Sequence, residues 1–244
     1  MYEYLRSPIS IGSMELRNRM VMAPMGVEIV DEDGVANEAI VQYYKERARG
    51  GVGLIVTEVC AVAYPMGANA LSQLGLSEDR FVGPLRTLTD RVHAHGANIA
   101  VQLVHHGKVS RVDTMKGNDV LVPSVPEWHG SLDMINDLTP AELGLMAAAS
   151  GGQAPNYKAA TVEDLAEIVD YHASAAARAK EAGFDGVEVH GAHGYLISGF
   201  LSPQFNTRDD DYGGSLENRA RLLCEVLRLS LIHISEPTRR RLES

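Results

Sequence analysis

Short apolar runs of strand length alternate with amphipathic, helix-like stretches along most of this 244-residue sequence. An apolar run of four to eight residues bounded by turn residues is typical of a buried β-strand. Such strands alternate with helices in parallel sheets, so the pattern predicts an α/β fold in which helices cover the sheet. The predicted strands are residues 20–23, 52–57, 98–103 and 186–190.

The helical stretches between these runs have recognisable ends. Asn37 is a typical N-cap residue for the first helix, which ends at Gly50 and Gly51. Thr161 and Asp164 form a variant of the capping box at the start of the third helix. The second and fourth helices are predicted from apolar spacing at residues 81–92 and 215–227. The sequence thus contains four predicted strand–helix modules.

Four modules are compatible with either half of an eightfold barrel or a doubly wound sheet. A nucleotide-binding doubly wound fold would place G-x-G-x-x-G directly after its first strand, where residues 23–34 read APMGVEIVDEDG. Long loops follow the strands instead, above all the 36-residue connection 104–139, and a structureless loop of that length is uncommon unless it serves a site. We therefore expect a TIM (β/α)8 barrel, truncated to about its first four βα modules, with its chemistry at the C-terminal rim.

Composition argues against several classes of partner. With 22 Lys+Arg and 32 Asp+Glu, the net charge is −10, and residues 1–228 contain no basic cluster that would attract nucleic acid or an anionic membrane surface. No stretch approaches the eighteen apolar residues of a spanning helix and no signal peptide is recognisable, so we expect a cytoplasmic protein. Cys60 and Cys224 have no paired spacing that would suggest a disulfide framework or a zinc site.

The last sixteen residues, 229–244, read LSLIHISEPTRRRLES and abandon the helical period that precedes them. Residues 229–239 resemble a translated reading frame of a transposon sequencing adapter. We therefore interpret residues 1–228 as the N-terminal half of the barrel and residues 229–244 as a non-native tail.

Two histidines and a tyrosine lie within six positions where the last apolar run ends, in the segment VEVHGAHGYL at residues 187–196. Strand alternation directs Glu188 and His190 into the barrel, so His190 ends the strand at the mouth. His193 and Tyr195 follow on the loop above it. A single histidine at a strand end is more often structural, but two imidazoles and a phenol beside a glycine-rich loop favour a functional site.

The third predicted strand supplies a further polar side chain. Alternation directs Gln102 inward, and its amide can both donate and accept hydrogen bonds. His105 and His106 follow at the end of the same strand. Because adjacent residues point apart, we expect at most one of these two histidines to face the site.

Four motifs carry a family resemblance. The segment VEVHGAHGYLISGFLSPQFNTRDDDYGGSLENR, at residues 187–219, closely resembles the old yellow enzyme family of flavin-dependent oxidoreductases. LRNRMVMAPMG, GGVGLIVTE and VQLVHHGK resemble the earlier motifs of that family, in the same order. The likeness covers almost all of residues 5–228, and it implies that residues 1–228 are half of an FMN-binding barrel.

The resemblance implies an FMN-dependent ene-reductase. NADH or NADPH would reduce the flavin, which would pass hydride to the activated C=C of an α,β-unsaturated carbonyl compound or acyl-CoA. The residues that correspond to cofactor contacts are Ala23, Pro24, Met25 and Gly26 around the flavin ring, Val59 through its backbone, and Gln102 at the pyrimidine edge. His190 and His193 correspond to the pair that holds the substrate carbonyl oxygen, and Tyr195 to the proton donor.

These roles agree with the chemistry of the reaction. Hydride addition to the β-carbon of an enone builds negative charge on oxygen, which imidazole donors would stabilise. The α-carbon then needs a proton, and a phenol is protonated at neutral pH and can serve as general acid.

The resemblance leaves several points open. A larger branch of the family adds a 4Fe–4S cluster and FAD after the barrel, and the chain as given does not decide this or whether a homo-oligomer forms. Two other functions stay open: a metal-dependent hydrolase with Glu188, His190 and His193 as ligands, and a non-catalytic ligand-binding barrel.

Overall fold

The strands and helices alternate along the chain as the apolar pattern predicts. The computed structural model describes residues 2–126, 138–149 and 151–234. The strands are β1 (Ile9–Ile11), β2 (Met14–Leu16), β3 (Val21–Met22), β4 (Leu54–Ala61), β5 (Asn98–Val104), β6 (Asp119–Val122), β7 (Asn156–Ala159) and β8 (Gly186–Val189). The helices are α1 (Glu3–Arg6), α2 (Glu38–Arg49), α3 (Val82–His93), α4 (Arg111–Lys116), α5 (Pro140–Ala149), α6 (Val162–Glu181), α7 (Leu196–Leu201) and α8 (Leu216–Ile234).

A four-stranded parallel sheet with the order β3-β4-β5-β8 lies at the centre of the molecule. Each of its strands corresponds to one of the four apolar runs, which confirms the predicted α/β class. Because all four strands run in the same direction, their C-terminal ends lie at one edge of the sheet. In the part of the chain that the structure describes, no helix is both long and apolar enough to cross a membrane.

The two faces of the sheet bury different side chains, as alternation requires. Ile99, Val101 and Leu103 of β5 are fully buried on the face covered by helices α2 and α3. Ala100 points to the opposite face, where it packs in a small cluster with Leu54, Val56 and Leu16. The inward direction of the even-numbered residues brings Gln102 to the upper edge of this second face.

Strand β4 contains a bulge near its upper end. Val56 pairs with Ala100 but Val59 pairs with Gln102, so β4 advances three residues where β5 advances two. A bulge of this kind bends the strand and redirects the neighbouring side chains. It lies at Glu58, directly below the C-terminal rim.

The helix ends agree with the capping residues read from the sequence. The side chain of Asn37 accepts a hydrogen bond from the backbone of Ile40 at the start of α2. At the start of α6, Thr161 accepts from the Asp164 amide while the Asp164 carboxylate accepts from the Thr161 amide. The predicted capping box is therefore confirmed.

The structure corrects the expected end of the last helix. Helix α8 continues to Ile234, past Leu229, where the helical period was expected to stop. Leucine and arginine are good helix formers, and the first proline after Ser215 is Pro237, so the backbone can propagate without a break. Residues 235–244 lie outside the described part of the chain.

The long connection after β5 also differs from the expectation of a structureless loop. It contains helix α4 and strand β6, and β6 pairs in parallel with β7 to form a separate two-stranded sheet. Strand β6 lies against helix α7, so this small sheet builds a wall beside the C-terminal rim. Trp128 and Gly130 of the same connection lie outside the described residues.

The capping box generates a stability prediction. Thr161→Ala removes an N-cap acceptor from exposed backbone amides, so the free energy of unfolding should fall by about 1 kcal/mol. Thr87→Ala is the matched control, because Thr87 lies on the exposed side of α3 and alanine there favours the helix. Urea denaturation followed by circular dichroism measures both. Equal midpoints for the two variants would contradict a stabilising cap.

Candidate active site

A cavity of about 190 Å³ opens at the C-terminal ends of β4, β5 and β8. Seven of the nine residues proposed from the sequence line it: Pro24, Gly26, Val59, Gln102, His190, His193 and Tyr195. The remaining two, Ala23 and Met25, are exposed neighbours of Pro24 that do not line the cavity. The structure therefore brings residues that are up to 171 positions apart in sequence, from Pro24 to Tyr195, around one cavity.

His190, His193 and Tyr195 form a compact aromatic group on one side of this cavity. The ring centroids lie 5.0 Å apart for the two histidines, 4.6 Å for His190 and Tyr195, and 5.8 Å for His193 and Tyr195. The backbone amide of His190 donates to the carbonyl of Leu103 at 3.0 Å. This bond continues the β5–β8 pairing by one residue and fixes the backbone from which the His190 ring projects.

Hydrogen bonds assign the proton positions on the two histidines. The amide of Ala192 donates to Nδ1 of His190 at 3.2 Å, so a neutral His190 carries its proton on Nε2. That Nε2 lies 3.2 Å from Nδ1 of His193 and donates to it. His193 then carries its proton on Nε2, and this is the N–H that the pair leaves for a ligand.

The surroundings of His190 keep it neutral. Burial lowers the pKa of His190, and the neighbouring His193 lowers it further. His193 itself has a φ of 56°, a left-handed backbone conformation that costs a non-glycine residue free energy and that usually persists where the site requires it. The position of the His193 ring is therefore set by the loop rather than by regular structure.

Gln102 faces the cavity from β5. Its Nε2 donates to Oε1 of Glu188, the neighbouring residue on β8. This bond orients the amide, so that Oε1 of Gln102 is left as an acceptor and the second N–H as a donor. The arrangement suits recognition of a heterocycle edge that presents both a donor and an acceptor.

His106 lines the cavity, whereas His105 is buried away from it, as the adjacency of the two residues predicts. Nδ1 of His106 donates to the carbonyl of Gly67 at 2.9 Å, which leaves Nε2 as an acceptor. Burial lowers the pKa of His106 to about 4, so the ring is neutral. Its centroid lies 4.5 Å from that of Tyr195. The sequence offered the signal of a second histidine at a strand end but could not tell which of the two faces inward.

Glu58 is a site residue that the sequence reasoning missed. It is fully buried, and its Oε2 accepts hydrogen bonds from the amides of Val27 at 2.7 Å and Glu28 at 3.1 Å. Burial raises the pKa of its carboxyl group. Glu28 has a φ of 49°, so the carboxylate holds the loop after β3 in a conformation that L-residues rarely adopt. Within the described chain, Oε1 of Glu58 has no hydrogen-bond partner.

The donor set of the cavity suits the ring system of FMN. Gln102 supplies a paired donor and acceptor, and there is open space beside the exposed Gly26, where a Cβ would meet no atom within 4 Å. The described residues that line this cavity include neither lysine nor arginine, so they do not provide for a phosphate group. The cavity therefore fits the isoalloxazine ring but not the whole of FMN.

A metal centre finds no support in the geometry. In residues 2–126, 138–149 and 151–234, no three His, Cys, Asp or Glu side chains are grouped so that they could hold a metal ion. Nε2 of His190 is engaged with His193, and Glu188 with Gln102. The three residues considered as metal ligands of a hydrolase, Glu188, His190 and His193, thus form hydrogen bonds with protein side chains instead.

Comparison with known proteins gives consistent matches. A family model described as the NADH:flavin oxidoreductase / NADH oxidase family matches residues 4–236. The chain is 40% identical to the NADH oxidase of Thermoanaerobacter brockii over 220 residues. This aligned region covers 89% of this chain and 30% of that protein. The chain is also 40% identical over 224 residues to the NADPH dehydrogenase of Geobacillus sp. (strain WCH70), covering 91% of this chain and 58% of that one.

Solved structures match in the same way. The crystal structure of Old Yellow Enzyme from Pichia sp. AKU4542 has a TM-score of 0.81 and 32% sequence identity to this chain, covering 95% of this chain and 57% of the other. The α/β fold therefore matches part of the TIM barrel of old yellow enzymes. This chain spans less than two thirds of each of these three proteins.

The histidine pair generates a pH prediction. Because the electrostatic effect of the neighbouring His193 lowers the pKa of His190, His193→Gln should raise the pKa of His190, while burial still keeps it below that of a free histidine. Long-range ¹H–¹⁵N spectra of the imidazoles, recorded across a pH titration, measure this. His95→Gln, away from the cavity, is the control. A His190 pKa that His193→Gln leaves unchanged or lowers would contradict the proposed coupling.

Proposed function

Because the chain belongs to the NADH:flavin oxidoreductase / NADH oxidase family, we propose that its site binds FMN and passes hydride from NADH or NADPH, through the flavin, to an activated C=C. The family resemblance seen in the motifs is thereby confirmed. The single observation that carries the proposal is the convergence of His190, His193 and Tyr195 above a cavity that Gln102 also lines. We propose that the substrate is an α,β-unsaturated carbonyl compound, either free or as an acyl-CoA.

The cofactor side of the cavity would hold the flavin ring. Ala23, Pro24, Met25 and Gly26 would wrap it, Val59 would contact it through the backbone, and Gln102 would bond the pyrimidine edge. Bound FMN, once reduced by NADH or NADPH, would supply the hydride. Glu58 supports this side, since it fixes the amides of Val27 and Glu28 directly after the wrapping segment. Preorganised backbone of this kind lowers the free-energy cost of ordering the site around a ligand.

The substrate side would stabilise charge on the carbonyl oxygen. Nε2–H of His193 is available as a donor, and His190 can contribute a second N–H when it exchanges its bond to His193 for one to the ligand. Negative charge grows on this oxygen as hydride reaches the β-carbon. A donor aimed at developing charge lowers such a barrier by about 2.7–4 kcal/mol.

Tyr195 would deliver the proton to the α-carbon. Its ring packs against both His190 and His106, at centroid distances of 4.6 and 4.5 Å. These contacts hold the phenol next to the histidine pair, beside the place where the α-carbon of a substrate bound by its carbonyl would lie. A general acid placed in this way typically contributes about 10²–10⁴ to the rate.

Two further interpretations of the sequence stay proposals. A 4Fe–4S cluster needs four cysteine thiolates, and this chain contains only Cys60 and Cys224, so such a cluster would depend on cysteines outside it; FAD likewise stays a proposal. The interpretation of residues 229–244 as a non-native tail is tested by sequencing the gene across codon 228. An uninterrupted natural reading frame through residue 244 would overturn it.

The proton-donor role predicts a split between the two half-reactions. Tyr195→Phe should slow alkene reduction about 100-fold or more, because the general acid is lost, and should leave flavin reduction by NAD(P)H largely intact. Anaerobic stopped-flow absorbance of the flavin, in the FMN-loaded protein, measures each half-reaction. Tyr43→Phe on α2 is the control. Equal loss in both half-reactions would mean that Tyr195 has another role.

The cofactor role of Gln102 predicts a loss of flavin affinity. Gln102→Leu keeps the volume but removes the donor and acceptor for the pyrimidine edge, so the Kd for FMN should rise about tenfold. Quenching of FMN fluorescence on titration with protein measures the Kd. Gln42→Leu, on helix α2, serves as the control. An unchanged Kd in a folded Gln102→Leu variant would place the flavin elsewhere.

A further inference from the structure

A second and larger cavity, of about 540 Å³, adjoins the first. Tyr195 lines both cavities. In the loop before it, His193 lines the smaller cavity and Gly194 lines the larger one. A molecule held by its carbonyl group at His193 can therefore extend past the edge of Tyr195 into the larger space. Its volume lies within the range of about 300–1,000 Å³ that is usual for small-molecule sites.

The walls of the larger cavity are mostly apolar. Val122 and Pro123, at the end of β6, line one side, Leu196 of α7 lines another, and Phe205 closes a third. Phe205 is partly exposed, and an aromatic wall of this kind gains free energy when an apolar group covers it. The cavity therefore suits a hydrocarbon or aryl part of a ligand.

Lys108 is the charged group among the described residues that line the cavity. Its Nζ lies 3.6 Å from the centroid of the Phe205 ring, and a Cβ on Gly194 would lie 3.3 Å from the same atom. None of the ion pairs in the described part of the chain involves Lys108. Partial burial lowers the pKa of its ammonium group. An anion beside it would compensate for the water that this cation has lost.

We propose that the larger cavity is a substrate subsite, in which an apolar arm of the substrate lies against Phe205 and an anionic group at its end pairs with Lys108. The inference rests on the proposed function and deepens it, since it assigns the enzyme to unsaturated carbonyl compounds with a distal carboxylate. The phosphates of a nicotinamide dinucleotide share the anionic chemistry. The rates of the two half-reactions distinguish a substrate carboxylate from these phosphates, because NADH or NADPH takes part only in the reduction of the flavin.

The test compares 4-carboxycinnamaldehyde with its methyl ester, which has the same arm without the charge. In the FMN-loaded protein, Lys108→Met should lower the preference for the carboxylate over the ester, as a ratio of kcat/KM, about five- to tenfold. Lys108→Arg should restore most of the preference, since it keeps the charge. Lys116→Met, an exposed lysine on α4 outside the cavity, should leave the ratio as in the parent chain.

A binding measurement makes the result independent of turnover. Calorimetry with the saturated analogue 3-(4-carboxyphenyl)propanal and its methyl ester, with FMN present, should show the same loss of carboxylate preference in Lys108→Met. If the parent chain reduces neither aldehyde, the proposed function fails, and the calorimetric ratio still decides the subsite. If both are reduced and Lys108→Met keeps the parent ratios, the subsite is wrong while the function stands. Slower flavin reduction by NADPH with unchanged ratios would assign Lys108 to the reductant and overturn the substrate subsite.

Discussion

The parallel pairing of β5 with β4 on one side and β8 on the other determines where the candidate active site lies. Parallel strands bring their C-terminal ends to the same edge of a sheet, and here those ends carry Val59, Gln102 and His190. The β5–β8 register also sets Gln102 beside Glu188, so that the amide is oriented by its neighbour. A shift of one residue in either strand would turn these side chains to the opposite face.

A buried carboxylate connects this edge to the loop after β3. Glu58 is free to point inward because the bulge in β4 interrupts the regular alternation, and its Oε2 accepts from two successive amides. Hydrogen bonds to a charged group contribute about 1.5–3 kcal/mol each, more than neutral ones. They offset only part of the desolvation, which still raises the pKa of this carboxyl group, and they hold the left-handed backbone of Glu28 in place. The loop that would contact the flavin is therefore held in place before any ligand binds.

The sequence was sufficient for the features that depend on local patterns. The four central strands, the Asn37 cap and the Thr161 capping box follow from apolar spacing and from residue types at helix ends. Features that depend on tertiary geometry were missed: a bulge has no sequence signature strong enough to place Glu58 in the site, and the choice between His105 and His106 depends on the carbonyl of Gly67. Helix α8 passed the expected boundary because a change in apolar pattern does not by itself end a helix.

The bond between His190 and His193 explains how the proposed site would favour the charged state of its ligand over the neutral one. For His190 to donate to a ligand it must give up its bond to Nδ1 of His193. Exchange of that bond for one to a neutral carbonyl oxygen gains little, since both are hydrogen bonds between neutral groups. Exchange for one to an oxygen that carries developing negative charge gains more, because charge-assisted bonds are about twice as strong. In the proposed reaction the second donor would thus be engaged mainly as hydride transfer proceeds, and an interaction that strengthens only there raises kcat rather than affinity for the substrate.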